Sequence, residues 1–458
     1  MFPLSVAAGR ARLARLTLAA LLLAVTVAGA ADPQLLVTVG EVTDSTAVLW
    51  ARGQAGTARV QYGLAGQSEQ RQAELKLSAG AHLTGKLPLV GLAAGRRYGY
   101  AVTQGGVTVR GGFVTAPPPS EATPVKFTWS GDLGSRQSCR HITDGYPIFR
   151  TLARFKADFF VFVGDTVYAD HVCVGPDRVP GYDFVARALP QYWAKHRYNR
   201  EEAGVQQYFR DVSVYAIWDD HEVRNDFSGP TERLMPIGRQ AFLDYFPIVP
   251  PAEEPGRLYR KFRWGSLLEL FILDTRQYRS PNSELDGPAK TMLGAAQKRW
   301  FIDGVTSSSS TWKIVVSSVS LSLATGSPQA RDSWTNATVF GIPAENGTGF
   351  AMERDAILRE FRERGVKNLI FLVTDVHHAE LIRHHPTTEW SFYEFIAGPL
   401  SASLGRPRPL DDALGPRSLY ALGGIENFGE ISVDPSALTV RIIDVTGMVR
   451  FTHTMAPE

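Results

Sequence analysis

Cysteine is nearly missing: Cys139 and Cys173 are the two thiols in 458 residues, too few for a disulfide-dense scaffold or a cluster of thiolate ligands. No HExxH pair occurs, which leaves a zinc peptidase without support, and no GxSxG elbow favours serine hydrolysis. Beyond residue 30 no apolar run reaches the roughly 20 residues that cross a bilayer, so no transmembrane segment is expected there. Charge of one sign is also scarce: 48 Lys and Arg stand against 46 Asp and Glu, with no basic stripe of the kind that tracks a nucleic-acid backbone. A specialised nucleic-acid partner is therefore not expected, and neither internal repeats nor long low-complexity tracts occur.

The first 30 residues stand apart. Arg10, Arg12 and Arg15 precede an apolar stretch from Leu16 to Val27 and the small residues Ala28, Gly29 and Ala30, the pattern of a secretory signal peptide cleaved near Ala30. The apolar stretch is shorter than a membrane span, which disfavours the alternative of an anchor. Cleavage deletes three arginines and no acid, taking the formal charge from +2 to −1. A periplasmic or secreted protein, most simply a monomer, is the expectation. In an oxidising compartment a Cys139–Cys173 disulfide is the leading reading of the two cysteines; Cys139 as a metal ligand and a pair of free thiols remain alternatives.

Residues 34–116 alternate apolar and polar positions in short runs such as LLVTVGEV, TAVLWARG and ARVQYGL, broken by Gly, Asp and Ser, which reads as a small antiparallel β-sandwich. Within it, VGLAAGRRYGYAV followed by GGFVTAPPP resembles a fibronectin type III-like domain, to which no chemistry is assigned. The tract APPPSEATP, residues 116–124, stiffens the chain without core-forming residues and marks a junction. Residues 125–458 then alternate strand and helix. VKFTWSGD is a strand ending at Asp132, GYPIFRTLARF an amphipathic helix, and ADFFVFVGD a strand ending at Asp165. An aromatic-rich insertion over about 170–212, with LPQYWAKHRYN as helix or lid, precedes the strand YAIWDD. LLELFILDTRQYR and WKIVVSSVSLSL read as strands around the helix GAAQKRWFIDGV, and AMERDAILREFRERGV is a helix before the strand KNLIFLVTDVHHAEL. The closing stretch ISVDPSALTVRIIDVTGMVRFTHT suggests a second sheet.

Asp132, Asp165, Asp220 and Asp375, with His221 and His377, all follow apolar strand-like runs, and a parallel sheet delivers such positions to one rim. Carboxylates converging without lysines between them repel one another, so cations make the arrangement tolerable. Hard oxygen donors with imidazole suit Fe(III), Mn(II), Ca(II) or Mg(II). Tyr168, three residues after Asp165, offers a phenolate, which favours ferric iron. Strand alternation turns His377 and His378 to opposite faces, and His377 is the chosen ligand. Arg136 and Arg224 are candidate phosphate clamps by charge and position, and Asn225 a candidate ligand or supporting partner. Glu222 and Asp274 are expected behind the ligands, Asp170 and His171 in an exposed insertion, and His384 and His385 on a solvated turn.

GDTVY at 164–168, WDDHEVRNDF at 218–227 and TDVHH at 374–378, in that order, are similar to the calcineurin-like metallophosphoesterases. More narrowly, WDDHEVRNDF with LDTRQYR and a sandwich in front resembles the PhoD-like alkaline phosphatase family. The resemblance implies an α/β fold, a four-layer α/β/β/α sandwich preceded by the small all-β one, with metals at the carboxyl ends of the strands. It implies hydrolysis of phosphate monoesters and diesters by metal-activated hydroxide. Carried over, Asp165 bridges two metals, Tyr168 binds iron, Asp220 stands where relatives put Asn, His221 contacts the phosphoryl group, and Asp375 and His377 complete the ligand set. Relatives often carry a Ser-Cys pair after the first strand, with the cysteine on iron; here that place reads SGD. The resemblance then implies that Asp132 replaces the thiolate and that Cys139 is left for Cys173. The implied cofactors are Fe(III) with Ca(II), and a shell of oxygen and imidazole also admits Mn(II) or Zn(II).

Two other functions compete. One is a phosphodiesterase or phospholipase D-like enzyme on phospholipid or a cell-wall polymer such as teichoic acid, with the insertion gripping the rest of the substrate. The other is an inactive surface binding protein, against which the intact ligand positions argue.

Overall fold

The computed structural model describes residues 34–135 and 138–458. The expected signal peptide, residues 1–30, and Arg136 lie outside the described residues.

The leading part carries β1 (Leu36–Gly40), β2 (Thr46–Arg52), β3 (Gly56–Leu64), β4 (Arg71–Leu77), β5 (Thr84–Val90), β6 (Arg97–Gln104) and β7 (Val107–Val114). They sort into β1-β2-β5 and β4-β3-β6-β7, the two layers of a fibronectin type III-like sandwich. Gly105 and Gly106 join β6 to β7 at φ of 55° and 79°, the backbone that a two-residue hairpin with right-twisted strands requires. Leu36, Leu49, Val60, Leu75, Val102 and Phe113 fill the space between the layers.

The rest runs β8 (Val125–Ser130), α1 (Pro147–Leu152), β9 (Phe159–Val163), α2 (Leu189–Arg200), α3 (Ala203–Asp211), β10 (Ser213–Ile217), α4 (Met235–Tyr245), β11 (Arg260–Trp264) and β12 (Leu268–Ile272). It continues through α5 (Gly294–Ser307), β13 (Trp312–Val316), the small pair β14 (Gly326–Ser327) and β15 (Ala330–Arg331), α6 (Ala351–Glu363) and β16 (Leu369–Val373). The chain ends with β17 (Ala379–Thr387), β18 (Trp390–Ile396), β19 (Pro416–Leu422), β20 (Asn427–Val433), β21 (Leu438–Asp444) and β22 (Val449–Met455).

One sheet has the order β22-β21-β20-β8-β9-β10-β1-β2-β5 and the other β11-β12-β13-β16-β18-β17-β19. β8, β9 and β10 are parallel, as are β12, β13, β16 and β18, so each sheet presents a set of carboxyl ends. One sequence-based expectation is revised. The closing strands form no sheet of their own, because β20 pairs antiparallel with β8 and extends the first sheet. The first layer of the front sandwich continues the same sheet, since β1 meets β10 in parallel with Gly40 opposite Val214.

Period-2 alternation builds the layers. Leu270, Ile272, Ile314, Val316, Ile370 and Leu372 face the core between the sheets. Their neighbours Phe271, Val315, Leu369, Phe371 and Val373 pack outward against Phe301 and Val305 of α5 and Ile357 and Phe361 of α6. On the other flank Phe160 of β9 meets Tyr208 and Phe209 of α3, and Phe149 of α1 packs on the same pair. The result is the α/β/β/α order of a metallophosphoesterase-like fold. No helix among the described residues is long and apolar enough to cross a membrane.

Candidate metal centre

The strands stop abruptly, and the residues that follow them turn in a backbone region that side chains avoid. Asp132 after β8 has φ 60°, Asp165 after β9 φ 49°, and Asp375 and His377 after β16 φ 67° and 58°. Left-handed φ costs a non-glycine residue about 1 kcal/mol or more, and clusters of it mark functional constraint. Gly398, after β18, lies so near that an added Cβ would come 2.6 Å from Asp132 Oδ2. Bare backbone there keeps room around that carboxylate.

These turns bring the donors together. Asp132, Asp165 and His377 offer ligand atoms that all lie within 4.8 Å of one another, and so do Asp165, Asp220 and His221. Asp165 belongs to both trios. The Tyr168 hydroxyl is 3.0 Å from His377 Nε2, and His377 Nδ1 is 3.1 Å from Ser403 Oγ. His378 takes no part: its ring faces Glu380 Oε2 at 3.1 Å and the Val376 carbonyl at 3.1 Å. Asp375 joins neither trio; its backbone N–H donates to Asp132 Oδ1 at 3.3 Å.

The donor set fits cations. Asp132 Oδ2, Asp219 Oδ2, Asp220 Oδ1 and Asp375 Oδ2 are buried and accept no hydrogen bond among the described residues. Buried carboxylate oxygens in that state call for a charge to satisfy them. Burial and the nearby Asp219 push the Asp132 carboxyl well above its usual range; burial and Asp220 do the same to Asp165, and burial and Asp219 to Asp375. Burial and Asp165 likewise raise the Tyr168 phenol. A bound cation reverses this logic, because its positive charge favours each anionic form. Burial holds His377 down at about 4, keeping its ring neutral and its nitrogen free to act as a ligand.

His221 is the opposite case. Against the cost of burial, Asp220 and Asp170 hold it up at about 9, with Nδ1 2.7 Å from Asp170 Oδ1. Asp170 was expected in an exposed insertion, yet it orients His221 and also accepts from the Asn225 backbone at 2.8 Å. His171 packs over Tyr168 and His221, with ring centroids 5.2 and 4.7 Å away. A group whose pKa is higher in the folded state contributes stability that is complete below its unfolded value and fades as pH rises through the folded one. Metal-depleted protein should therefore lose stability between about pH 6.5 and 9, with Asp132, Asp165 and Asp375 acting in the same sense. Thermal unfolding across that range, with and without saturating Mn(II), checks this. The fall should vanish with the cation, and a flat profile in its absence contradicts the assignment.

Behind the trios lies a buried ionic network anchored by Arg276. Its Nε donates to Asp219 Oδ1 at 2.6 Å and its Nη atoms grip Asp332 at 2.6 and 2.7 Å. Arg279 and Asn282 add bonds to Asp332 Oδ1, each at 2.8 Å. Asp219 also accepts from Ser318 Oγ at 2.5 Å. Glu222 accepts from Thr166 N–H at 2.6 Å and Asp219 N–H at 2.9 Å, tying the turn after β9 to the turn after β10. Asp274 accepts from Trp218 Nε1 at 2.9 Å and from the backbone of Arg276 and Gln277.

Other sequence-nominated residues fall at the margins. The Arg224 guanidinium is half exposed and engaged by Glu232 at 2.5 Å. Asn225 is exposed, and the structure ties its backbone to Asp170. Cys139 and Cys173 form a buried disulfide with Cα atoms 6.0 Å apart, so Cys139 is not a ligand. That bond pins the loop after β8 to the insertion. His384 is not on a solvated turn: it is buried in β17 with Nε2 2.9 Å from Glu394. Asp332 and Asp226 were missed. Asp226, at φ 56°, and Asp332 offer oxygens that group with Asp220.

Comparison with known proteins identifies the family and the fold. The family model described as PhoD-like phosphatase matches residues 133–421. Alkaline phosphatase D of Bacillus subtilis (strain 168) is 24% identical over 301 residues, 57% of this chain and 48% of that protein. The chain thus spans about half the length of that curated relative. A solved structure of PhoD superposes with a TM-score of 0.73 at 18% identity, covering 92% of this chain and 88% of that one. Purple acid phosphatase PPD1 from yellow lupin (Lupinus luteus) seeds gives a TM-score of 0.64 at 13% identity, covering 93% and 74%. At these identities the two structures speak to the fold.

Proposed function

The chain belongs to the PhoD-like phosphatase family, and from that premise we propose that it is an exported, metal-dependent hydrolase of phosphate monoesters and diesters. The observation that carries the reading is Asp165, shared between two donor trios beside unsatisfied buried oxygens of Asp132 and Asp220. In this reading Asp132, Tyr168 and His377 would hold one ion and Asp220 another, with Asp165 within reach of both. Asp375 stands beside Asp132 as a further donor.

Bound there, such ions would supply a hydroxide nucleophile near neutral pH and neutralise charge on the phosphoryl oxygens. The protein's own work is positional and electrostatic. Asp170 accepts from Nδ1 of His221, fixes the tilt of the ring and, with Asp220, favours its imidazolium form, so Nε2 also carries a proton for a phosphoryl oxygen or departing alkoxide. Asp170→Asn should therefore lower kcat by about a hundredfold with a smaller effect on KM, since general acid catalysis contributes about that much. Steady-state kinetics decide it, and an unchanged kcat removes His221 from the proton transfer.

Ferric iron with calcium is the proposed pair, with Mn(II) or Zn(II) able to occupy the same oxygen and imidazole shell. The phenol of Tyr168, 3.0 Å from His377, supports iron. Concentrated iron-loaded protein should absorb visible light by phenolate-to-iron charge transfer, and Tyr168→Phe should lose the band. A colourless iron-loaded protein contradicts the assignment.

Rates on nitrophenyl phosphate and its bis-ester test the substrate class directly. Turnover of both supports the reading. A large diester preference that disappears when the insertion is shortened favours a dedicated phosphodiesterase.

A further inference from the structure

We propose that Asn199 is a positioning residue of the metal centre, its side-chain amide clipping together the two turns that carry Asp132 and Asp165. The proposal rests on the metal-dependent reading above. Asn199 sits near the carboxyl end of α2, inside the insertion, and is buried. Its Nδ2 donates to the Leu133 carbonyl at 3.2 Å and to the Thr166 carbonyl at 3.0 Å. Those carbonyls belong to the residues immediately after Asp132 and Asp165. Its Oδ1 accepts from the Tyr146 hydroxyl at 2.7 Å, which fixes which end of the amide faces the turns.

The two turns already touch: Leu133 N–H donates to the Asp165 carbonyl at 2.8 Å and Asp132 N–H to the Gly164 carbonyl at 3.3 Å. Asn199 closes this short ladder with a single amide group that donates to both carbonyls. Asp132 and Asp165 sit at φ 60° and 49°, a backbone that relaxes unless its surroundings hold it. The cost of relaxation falls on the ion site, where ligand atoms tolerate displacements of only about 0.5 Å.

The helix that bears Asn199 is itself held from the front sandwich. Arg200 donates to Thr38 Oγ1 at 2.5 Å and to the Tyr245 carbonyl at 3.0 Å, and its guanidinium lies 4.5 Å from the Trp50 ring. Trp193 stacks on His82 with centroids 5.0 Å apart. Lys195, on the same helix, donates to the His171 carbonyl at 2.6 Å. α2 therefore acts as a strut between the sandwich and the turns of the centre.

Asn199→Asp keeps the shape and the acceptor for Tyr146 but removes both donors. It also adds a negative charge, which by itself would tighten cation binding, so a loss of affinity isolates the clip. Asn199→Ser, too short to span both carbonyls, serves as the second variant. Tyr146→Phe removes the buried bond to Oδ1 while leaving both donors, and measures the loss of a buried hydrogen bond at the same amide that does not reach the turns. Mn(II) is titrated calorimetrically into the metal-depleted chain, with thermal unfolding of each metal-free protein alongside. The expected result is Mn(II) affinity about 10- to 100-fold weaker in both Asn199 variants, the range known for groups that orient metal ligands. Tyr146→Phe should stay within about threefold while shifting unfolding to a similar degree. Asn199 variants that bind Mn(II) as the parent does overturn the proposal, and so does an equal loss in Tyr146→Phe. A parent chain that binds no Mn(II), Fe(III) or Ca(II) overturns the metal reading itself, an outcome distinct from either.

Discussion

Asp165→Asn should leave a folded protein that retains no more than one ion and turns over phosphate esters at less than about a hundredth of the parent rate. One carboxylate serves both donor trios, so one substitution removes an anionic ligand from each. The amide keeps the size and can still accept from the His221 backbone N–H, now 3.2 Å from Asp165 Oδ1. Folding of the metal-free chain is therefore expected to survive, and because burial and Asp220 oppose the carboxylate, its removal should slightly stabilise that form. Metal content after gel filtration, together with kcat on nitrophenyl phosphate, reads the result. Activity above a tenth of the parent contradicts the shared ligand.

Arg276→Met should be the most destabilising single change in the centre. The guanidinium is buried and bonded to Asp219 and, with two parallel bonds, to Asp332, while Asp220 Oδ2 lies 3.9 Å away. Removing it leaves buried carboxylates uncompensated, a loss of about 3–5 kcal/mol in comparable pairs. Arg276→Lys should recover part of this, since a point charge remains but the fork that spans Asp219 and Asp332 does not. Denaturant unfolding in the presence of excess chelator isolates the protein term. Adding Asp332→Asn to Arg276→Met should restore stability relative to the single change, because it deletes one orphaned charge. A single variant as stable as the parent contradicts the network's electrostatic role.

The legible parts of the fold were those written locally. Runs such as ADFFVFVGD and KNLIFLVTD combine strand period with an acid at the end, and a parallel arrangement follows from the helices between them. Partners were not legible. Nothing in the alternation of β20 says that it pairs with β8 instead of founding a sheet, since pairing is decided by which edge remains open. His384 looked polar in the context RHHPTTE, but β17 lies between β18 and β19 and its alternation turns that ring inward onto Glu394.

The centre divides the same way. Asp132, Asp165, Asp220 and Asp375 announce themselves by position after long apolar strands, whereas Asp332 follows only the two-residue strand β15 and is recruited by Arg276 across 56 residues of chain. Asp170 and Asn199 act through a hydrogen bond to a distant ring and to distant carbonyls, and no spacing rule encodes either. Asp226 was within reach, four residues past Glu222, had the turn it forms been foreseen.

The metal content of protein isolated from its native source, measured by mass spectrometry after exhaustive buffer exchange, bears most directly on the whole account. About two ions per chain, with iron among them, is the expected value for trios that share one carboxylate. Protein that carries no ion, and stays inert on nitrophenyl phosphate after iron, manganese or calcium is supplied, contradicts it.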